Sequence, residues 1–267
     1  MSSSSPTLVV RDLVKSFGGP RVLDRCNLTI RGGAITGLIG PNGAGKTTLF
    51  NVLSGFTRPD SGRVFLGETE ITGLPPHVLF RAGLVRTFQI PNELHRMTVL
   101  ENLMVVPGGQ GGENLATALL RSGRVLVEER AVRRRAEEAL AFLKLDHLAT
   151  ELAGNLSGGQ KKLLELGRVI MSGAKTVLLD EPGAGVNRTL LATLVDEIRR
   201  LNRDRGVTFC VIEHDMDLVA RICDPVIVMA EGRVMTEGSL DEIRRDAAVI
   251  DAYLGGRADT DGGGAAA

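Results

Sequence analysis

Aromatic side chains make up only 3% of the 267 residues, with no Trp and a single Tyr. Proteins that grip single-stranded nucleic acid stack its bases on aromatic platforms, so this composition argues against that class. Charge of either sign is not in excess either: 32 Lys and Arg balance 32 Asp and Glu. A neutral total gives no general attraction to nucleic acid or to an anionic membrane. The local basic stretch Arg133–Arg135 reads as a solvated helix face. Cysteine is sparse, and Cys26, Cys210 and Cys223 have no metal-ligand spacing. The expectation is a reduced, cytoplasmic protein without disulfides, with Cys210 in the core. The opening MSSSSPT carries neither a basic nor an apolar stretch, so no signal peptide is expected there. No apolar run approaches the roughly 18 residues that a membrane helix needs.

What is present is aliphatic. Hydrophobic residues reach 43%, enough for a core of Leu, Val, Ile and Ala between helices and sheet. Two strand-like runs between Thr7 and Ile30 flank the turn Gly18-Gly19-Pro20. AITGLIG (34–40) reads as a buried strand that ends in a glycine loop, and 47–56 as the helix after it. SGRVFLG (61–67) reads as a short strand. From about 90 to 165 the pattern turns helical, with Val132, Ala136, Ala139, Leu140 and Leu143 at helical spacing. Then TVLLD (176–180) and VTFCVIE (207–213) read as buried parallel strands around a helix, a βαβ unit. A hairpin turning at Glu231-Gly232 follows, and Ser239 with Glu242 forms a capping box opening a last helix through Tyr253. The fold class is therefore α/β: a core of buried strands and helices interrupted by a mostly helical insertion. One domain is expected over 7–255, with 1–6 and 256–267 as disordered tails.

Three motifs carry chemistry. The first is GPNGAGKTT, running Gly40, Pro41, Asn42, Gly43, Ala44, Gly45, Lys46, Thr47, Thr48. It fits G-x-x-x-x-G-K-[ST] and stands between a strand and a helix, the context that supports a P-loop. Its glycines let the backbone curl so that N–H groups face phosphate oxygens, and the helix adds its positive end. Lys46 would place a charge on the β- and γ-phosphates, and the Thr47 hydroxyl would ligate Mg²⁺. The second is TVLLDEP (176–182), where a buried strand delivers Asp180 to its carboxyl end. Asp180 would hold the Mg²⁺ shell, and Glu181, pointing elsewhere, would polarise the attacking water. The third is NLSGGQ (155–160): Ser157 suits a helix N-cap, and Gly158 and Gly159, before Gln160, expose N–H groups as a second anion site. One nucleotide does not need two phosphate sites on separate lobes, whereas a pair of chains does.

In this order and at these separations the motifs resemble the nucleotide-binding subunits of ABC transporters, which LSGGQ separates from other P-loop NTPases. The resemblance spans about 7–255 and implies ATP and Mg²⁺ as ligands. It also implies a second ATPase subunit, identical or different, transmembrane permease subunits, a solute-binding protein acting indirectly, and no nucleic acid. The cassette would sit on the cytoplasmic face of the membrane. It identifies Gln89 with the Q-loop glutamine that touches Mg²⁺ or water, His214 with the switch histidine, and Phe17 with the aromatic that stacks on adenine. The implied mechanism is in-line attack of water on the γ-phosphate. Lys46, Mg²⁺ and the other subunit's Ser157 and Gly159 surround that phosphate, Glu181 acts on the water, and His214 fixes the geometry.

One position departs from the wider family, because Asn187 stands where an aspartate is usual. GLVRTFQ (83–89), MTVLENL (97–103), EPGAGVN (181–187) and AVIDAYLG (248–255) resemble instead the ATPases of branched-chain amino-acid importers, with relatives for amides and urea. Asn187 is then a mark of that subgroup. The nearest alternative is a lipopolysaccharide-export ATPase. A soluble ABC protein would bring two cassettes or a long coiled coil, and an inactive cassette would lack part of the set Lys46, Asp180, Glu181 and His214. The segment after Gln89, with Ile90, Leu94, Met97 and Val99, is the expected seat for a cytoplasmic helix of a permease.

Overall fold

The computed structural model describes residues 8–87, 93–108 and 122–258. These fall into two compact units. One comprises the described residues of Met1–Thr87, Lys175–Gly183 and Ile198–Ala267; the other those of Phe88–Ala174 and Ala184–Glu197.

The first unit holds two sheets. Strands β1 (Leu8–Ser16), β2 (Arg21–Ile30), β4 (Ser61–Leu66) and β5 (Thr69–Glu70) form an antiparallel sheet in the order β2-β1-β4-β5. The second sheet takes β3 (Ile35–Ile39), β6 (Leu84–Arg86), β7 (Thr176–Asp180), β8 (Thr208–Ile212), β9 (Val226–Ala230) and β10 (Arg233–Gly238) in the order β10-β9-β3-β8-β7-β6. All neighbours in it are parallel except β9 and β10. β3, β7 and β8 are buried at every residue, which is why they read as unbroken apolar runs rather than alternating ones. The hairpin between β9 and β10 turns where Glu231 and Gly232 both have positive φ, 50° and 74°, the backbone a type I′ turn requires. Helix α1 (Lys46–Leu53) supplies Leu49, Phe50 and Leu53 to a core that contains Leu13, Leu23, Leu178 and Met229.

Register decides where chemistry can gather. Leu38 pairs with Ile212, and Ile212 pairs with Asp180. The loops after β3, β7 and β8 therefore leave the sheet from one edge at one level, the carboxyl edge where open α/β sheets bind ligands.

The second unit is helical. α3 (Val99–Met104), α4 (Ser122–Phe142) and α5 (Gly158–Ser172) pack together, after the small α2 (Pro76–Arg81) of the first unit. Ala136, Ala139, Leu140 and Leu143 are buried, as their spacing predicts. Gly167 permits the close packing: a Cβ there would lie 3.0 Å from side-chain atoms of Leu103 and Leu143. Arg133 and Arg134 face outward, pairing with Glu137 and Glu138, while Arg135 reaches the Met171 carbonyl at the end of α5. α6 (Arg188–Arg205) begins in this unit and ends in the first.

Two helix expectations need correction. α1 stops at Leu53 rather than running on to 56, because Gly55 takes φ 77° and any Cβ there would meet the Leu74 carbonyl at 2.4 Å. The last helix is two pieces after α7 (Met216–Ile222): α8 (Leu240–Ile243), opened by the Ser239–Glu242 capping box, and α9 (Ala247–Ala258). Asp246 accepts the Ala248 N–H at 2.9 Å and restarts the helix. The helix also covers 256–258, where a disordered tail is expected from sequence. All three cysteines are free and buried. Among the described residues no helix is long and apolar enough to cross a membrane.

Candidate active site

The glycine loop leaves β3 at Gly40, whose φ is 151° and whose Cβ, if present, would lie 2.0 Å from the Met229 carbonyl. At Gly45, with φ 97°, a Cβ would lie 2.7 Å from the Val22 carbonyl. Only glycine fits either place. The β9–β10 hairpin braces the loop, since the Gly232 N–H donates to the Ala44 carbonyl at 3.1 Å. Lys46 opens α1 and is 6% exposed; its ammonium donates to the carbonyls of Gly40 (2.7 Å) and Pro41 (2.9 Å). Burial holds the Lys46 pKa below the ordinary lysine value, while the charges of Glu181 and Asp180 pull it back up. A cavity of about 260 Å³ opens here, lined by Asn42–Thr48, Val22, Glu181, Ile212 and His214.

Asp180 ends β7 and is buried. Its Oδ2 accepts from Nη2 of Arg86 at 2.7 Å. Glu181 leaves the strand with φ 47°, a left-handed conformation that costs a non-glycine residue on the order of 1–3 kcal/mol. Strain of that kind persists where surrounding structure enforces it. Here the Glu181 N–H is held by the Ile212 carbonyl at 3.0 Å, and its Oε1 lies 3.2 Å from His214 Nε2. Glu213, the residue before His214, is buried and accepts from the N–H groups of Gly183 (2.8 Å) and His214 (3.2 Å). It thereby ties the turn after Glu181 to the start of the His214 loop. Burial raises the Glu213 pKa, and these backbone bonds offset part of the rise.

In the second unit, Ser157 and Gln160 form a reciprocal capping box at the start of α5. Gly159 is hemmed in by Leu190, whose Cδ1 would lie 2.5 Å from an added Cβ. Asn187 acts locally, its Oδ1 accepting the Leu190 N–H at 3.0 Å at the start of α6. An aspartate would cap equally well, so asparagine here removes charge without removing the cap. Phe17 is 61% exposed, with the Lys15 ammonium 5.3 Å from its ring centroid. Gln89, Ile90 and the rest of 88–92 lie outside the described residues. Of the segment expected to seat a permease helix, Leu94 is exposed, Met97 half-buried, and Val99 buried in α3.

The P-loop, Glu181 and His214 thus border one cavity. Sequence reasoning passed over Arg86 and Glu213. Each had a signal: a charged residue bounding an otherwise apolar strand has to find a buried partner.

The ABC transporter family model matches residues 23–184. The chain belongs to that family. A second model, for branched-chain amino acid ATP-binding cassette transporters, matches residues 233–259 of the cassette. A probable branched-chain amino acid transport ATP-binding protein LivG of Archaeoglobus fulgidus is 46% identical over 93% of this chain and 95% of its own. The high-affinity branched-chain amino acid transport ATP-binding protein BraF of Pseudomonas aeruginosa is 38% identical over 94% and 99%. Among solved structures, the ADP conformation of an ATP-binding cassette of an ABC transporter superposes with TM-score 0.79 at 38% identity, covering 94% of this chain and 99% of that one. The cassette is an ATPase of this family and binds nucleotide.

The donor set also suits Mg²⁺. Thr47 and Asp180 offer hard oxygens, and Mg²⁺ is usually held by one or two carboxylates together with substrate phosphates and water. Among the described residues no group of three or more His, Cys, Asp or Glu could hold a metal without such help.

The raised Glu213 pKa gives a pH signature. Relative to the unfolded chain, Glu213 contributes most below the ordinary value of 4.5, and that contribution is lost as pH rises through the folded value. The stability of the wild type relative to Glu213→Gln is therefore expected to fall as pH is raised above 4.5. Urea melts of both proteins across that range would show it; a gap that widens in favour of the wild type with rising pH would contradict the assignment.

Proposed function

We propose that this cassette powers an importer for branched-chain amino acids, with related amides or urea as the neighbouring solute classes. The observation that carries the reading is the match of residues 233–259 to the branched-chain family model. The described residues of that stretch hold β10, α8 and α9; the stretch lies outside the motifs shared by all ABC ATPases, so it reports kinship and not phosphate chemistry. The relatives named for branched-chain amino acid transport support it. The cassette would attach peripherally to the cytoplasmic side of permease subunits and pair face to face with a second cassette, of the same or a different chain.

In this reading Lys46 and the loop Gly40–Thr48 hold the phosphates of ATP. Thr47 and Asp180, with Gln89, hold Mg²⁺, which when bound would neutralise charge on the phosphate oxygens. Glu181 orients or deprotonates the attacking water, and His214 holds the Glu181 carboxylate and the γ-phosphate in register. Phe17 stacks on the adenine. Ser157, Gly158, Gly159 and Gln160 offer helix N-terminal N–H groups to the nucleotide of the opposite cassette. Closing and reopening of the pair drive the permeases.

Uptake of labelled leucine, valine, short amides and urea in a strain lacking this chain tests the reading. Leucine and valine uptake is expected to fall to background and to return with a plasmid copy. Unchanged uptake of all four, with an envelope lipid failing to reach the surface, would favour the exporter alternative.

A further inference from the structure

The mechanism above uses Asp180 but not the residue bound to it. Arg86 and Asp180 are buried together, with side chains 5% and 7% exposed, and Nη2 of Arg86 lies 2.7 Å from Oδ2 of Asp180. Arg86 has a second set of partners on the P-loop helix. Its Nη1 donates to Asn51 Oδ1 at 2.5 Å and lies 3.4 Å from Ser54 Oγ, and its guanidinium sits 5.7 Å from the ring centroid of Phe50. One guanidinium therefore joins the strand that ends in Asp180 to the helix that begins at Lys46. Arginine alone can do this, because its planar fork presents donors in two directions at once.

We propose that Arg86 is the resident counter-ion of Asp180, so that Mg²⁺ arriving with the nucleotide competes with Arg86 for that carboxylate. The proposal rests on the reading that Asp180 meets the metal's shell. A buried carboxylate without a counter-charge is strongly disfavoured, and Arg86 supplies that charge when no metal is bound. A dication brought to the same carboxylate meets the guanidinium's positive charge at short range, whether the two share the carboxylate or exchange on it. Arg86 can yield without being stranded, since Asn51, Ser54 and Phe50 still hold it. A cassette that releases its magnesium–ADP product in every cycle gains from a carboxylate with a partner to return to. Arg86 is thus a positioning residue that acts through Asp180. The sequence also puts it three residues before Gln89.

The test is the factor by which Mg²⁺ tightens binding of a non-hydrolysable ATP analogue: its Kd in EDTA divided by its Kd in Mg²⁺, measured by calorimetry on the purified chain. In Arg86→Met this factor is expected to rise about tenfold, a change of about 1.4 kcal/mol in coupling. Arg86→Lys, which keeps the charge, should stay near the wild-type factor. Where Arg86→Met is too unstable to purify, Arg86→Gln keeps N–H donors, drops the charge and carries the same expectation. In Arg86→Met/Asp180→Asn both charges are gone, and removing Arg86 should raise the factor far less over Asp180→Asn alone than it does over the wild type. A factor that is unchanged or smaller in folded Arg86→Met or Arg86→Gln, with Asp180→Asn lowering it, overturns the competition while leaving the metal role of Asp180 intact. A wild-type factor in Asp180→Asn overturns the metal role itself, and the competition with it.

Discussion

Glu181→Gln is expected to bind ATP about as tightly as the wild type and to hydrolyse it roughly 10²–10⁴-fold more slowly, the range a positioned general base supplies. The substitution keeps the side chain's shape and removes its basicity. Binding should survive because the phosphate-holding groups, Lys46 and the loop from Gly40, are untouched. The geometry explains why no neighbour can stand in. Glu181 reaches the cavity only because its backbone is turned into the left-handed region at φ 47°. The His214 ring nitrogen 3.2 Å from its carboxylate fixes where that carboxylate points. Asp180, one residue back, is paired with Arg86 in this structure and would face the metal when MgATP is bound, so it is not free to act on the water. With hydrolysis blocked, ATP should hold two cassettes together, so a dimer is expected on size exclusion in MgATP and a monomer without nucleotide. Phosphate release near the wild-type rate from purified Glu181→Gln would remove Glu181 from the role.

The parts of this arrangement legible in the sequence are those set by local rules. A G-x-x-x-x-G-K-T run between an apolar strand and a helix fixes the loop, and the strand TVLLD delivers Asp180 to its own end. Ser157 reads as a helix cap from its side chain and the two glycines after it, and it caps α5. What the chain does not spell out locally is which distant residues meet. Arg86 sits in a three-residue edge strand, too short to stand out by periodicity, and its value depends on β6 lying beside β7. Glu213 reads as the polar end of a strand, yet its effect comes from accepting the Gly183 N–H thirty positions earlier. The α8–α9 break was hidden for the opposite reason. The Ser239–Glu242 box and the apolar residues beyond it fit one continuous helix, and the Asp246 side chain that restarts it looks like an ordinary surface charge.

Lys46→Met separates binding from folding more sharply than any other change at this site. In the wild type the ammonium is buried and donates to two loop carbonyls, Gly40 and Pro41. Its lowered pKa states that burial costs the charged form more than Glu181 and Asp180 return to it. The unfolded chain therefore holds this proton more tightly, and the Lys46 contribution to stability rises as pH climbs through the folded value toward 10.5. Methionine removes the buried charge, which favours the folded state, and leaves two carbonyls without a donor, the buried Gly40 carbonyl at a cost of about 1–3 kcal/mol and the part-buried Pro41 carbonyl at less. The two changes oppose each other, so the variant's stability in urea is expected to lie within about 1 kcal/mol of the wild type at neutral pH. Nucleotide affinity has no such compensation. The phosphates lose the one cation on the P-loop, and binding of MgATP should weaken by about 100-fold or more, near 2.7 kcal/mol. Calorimetric titration with MgATP beside a urea melt of the same preparation measures both. A variant that loses stability in step with affinity would mean that Lys46 acts mainly as a strut for the loop, and an unchanged affinity would mean that the loop's backbone N–H groups and the α1 terminus hold the phosphates without it.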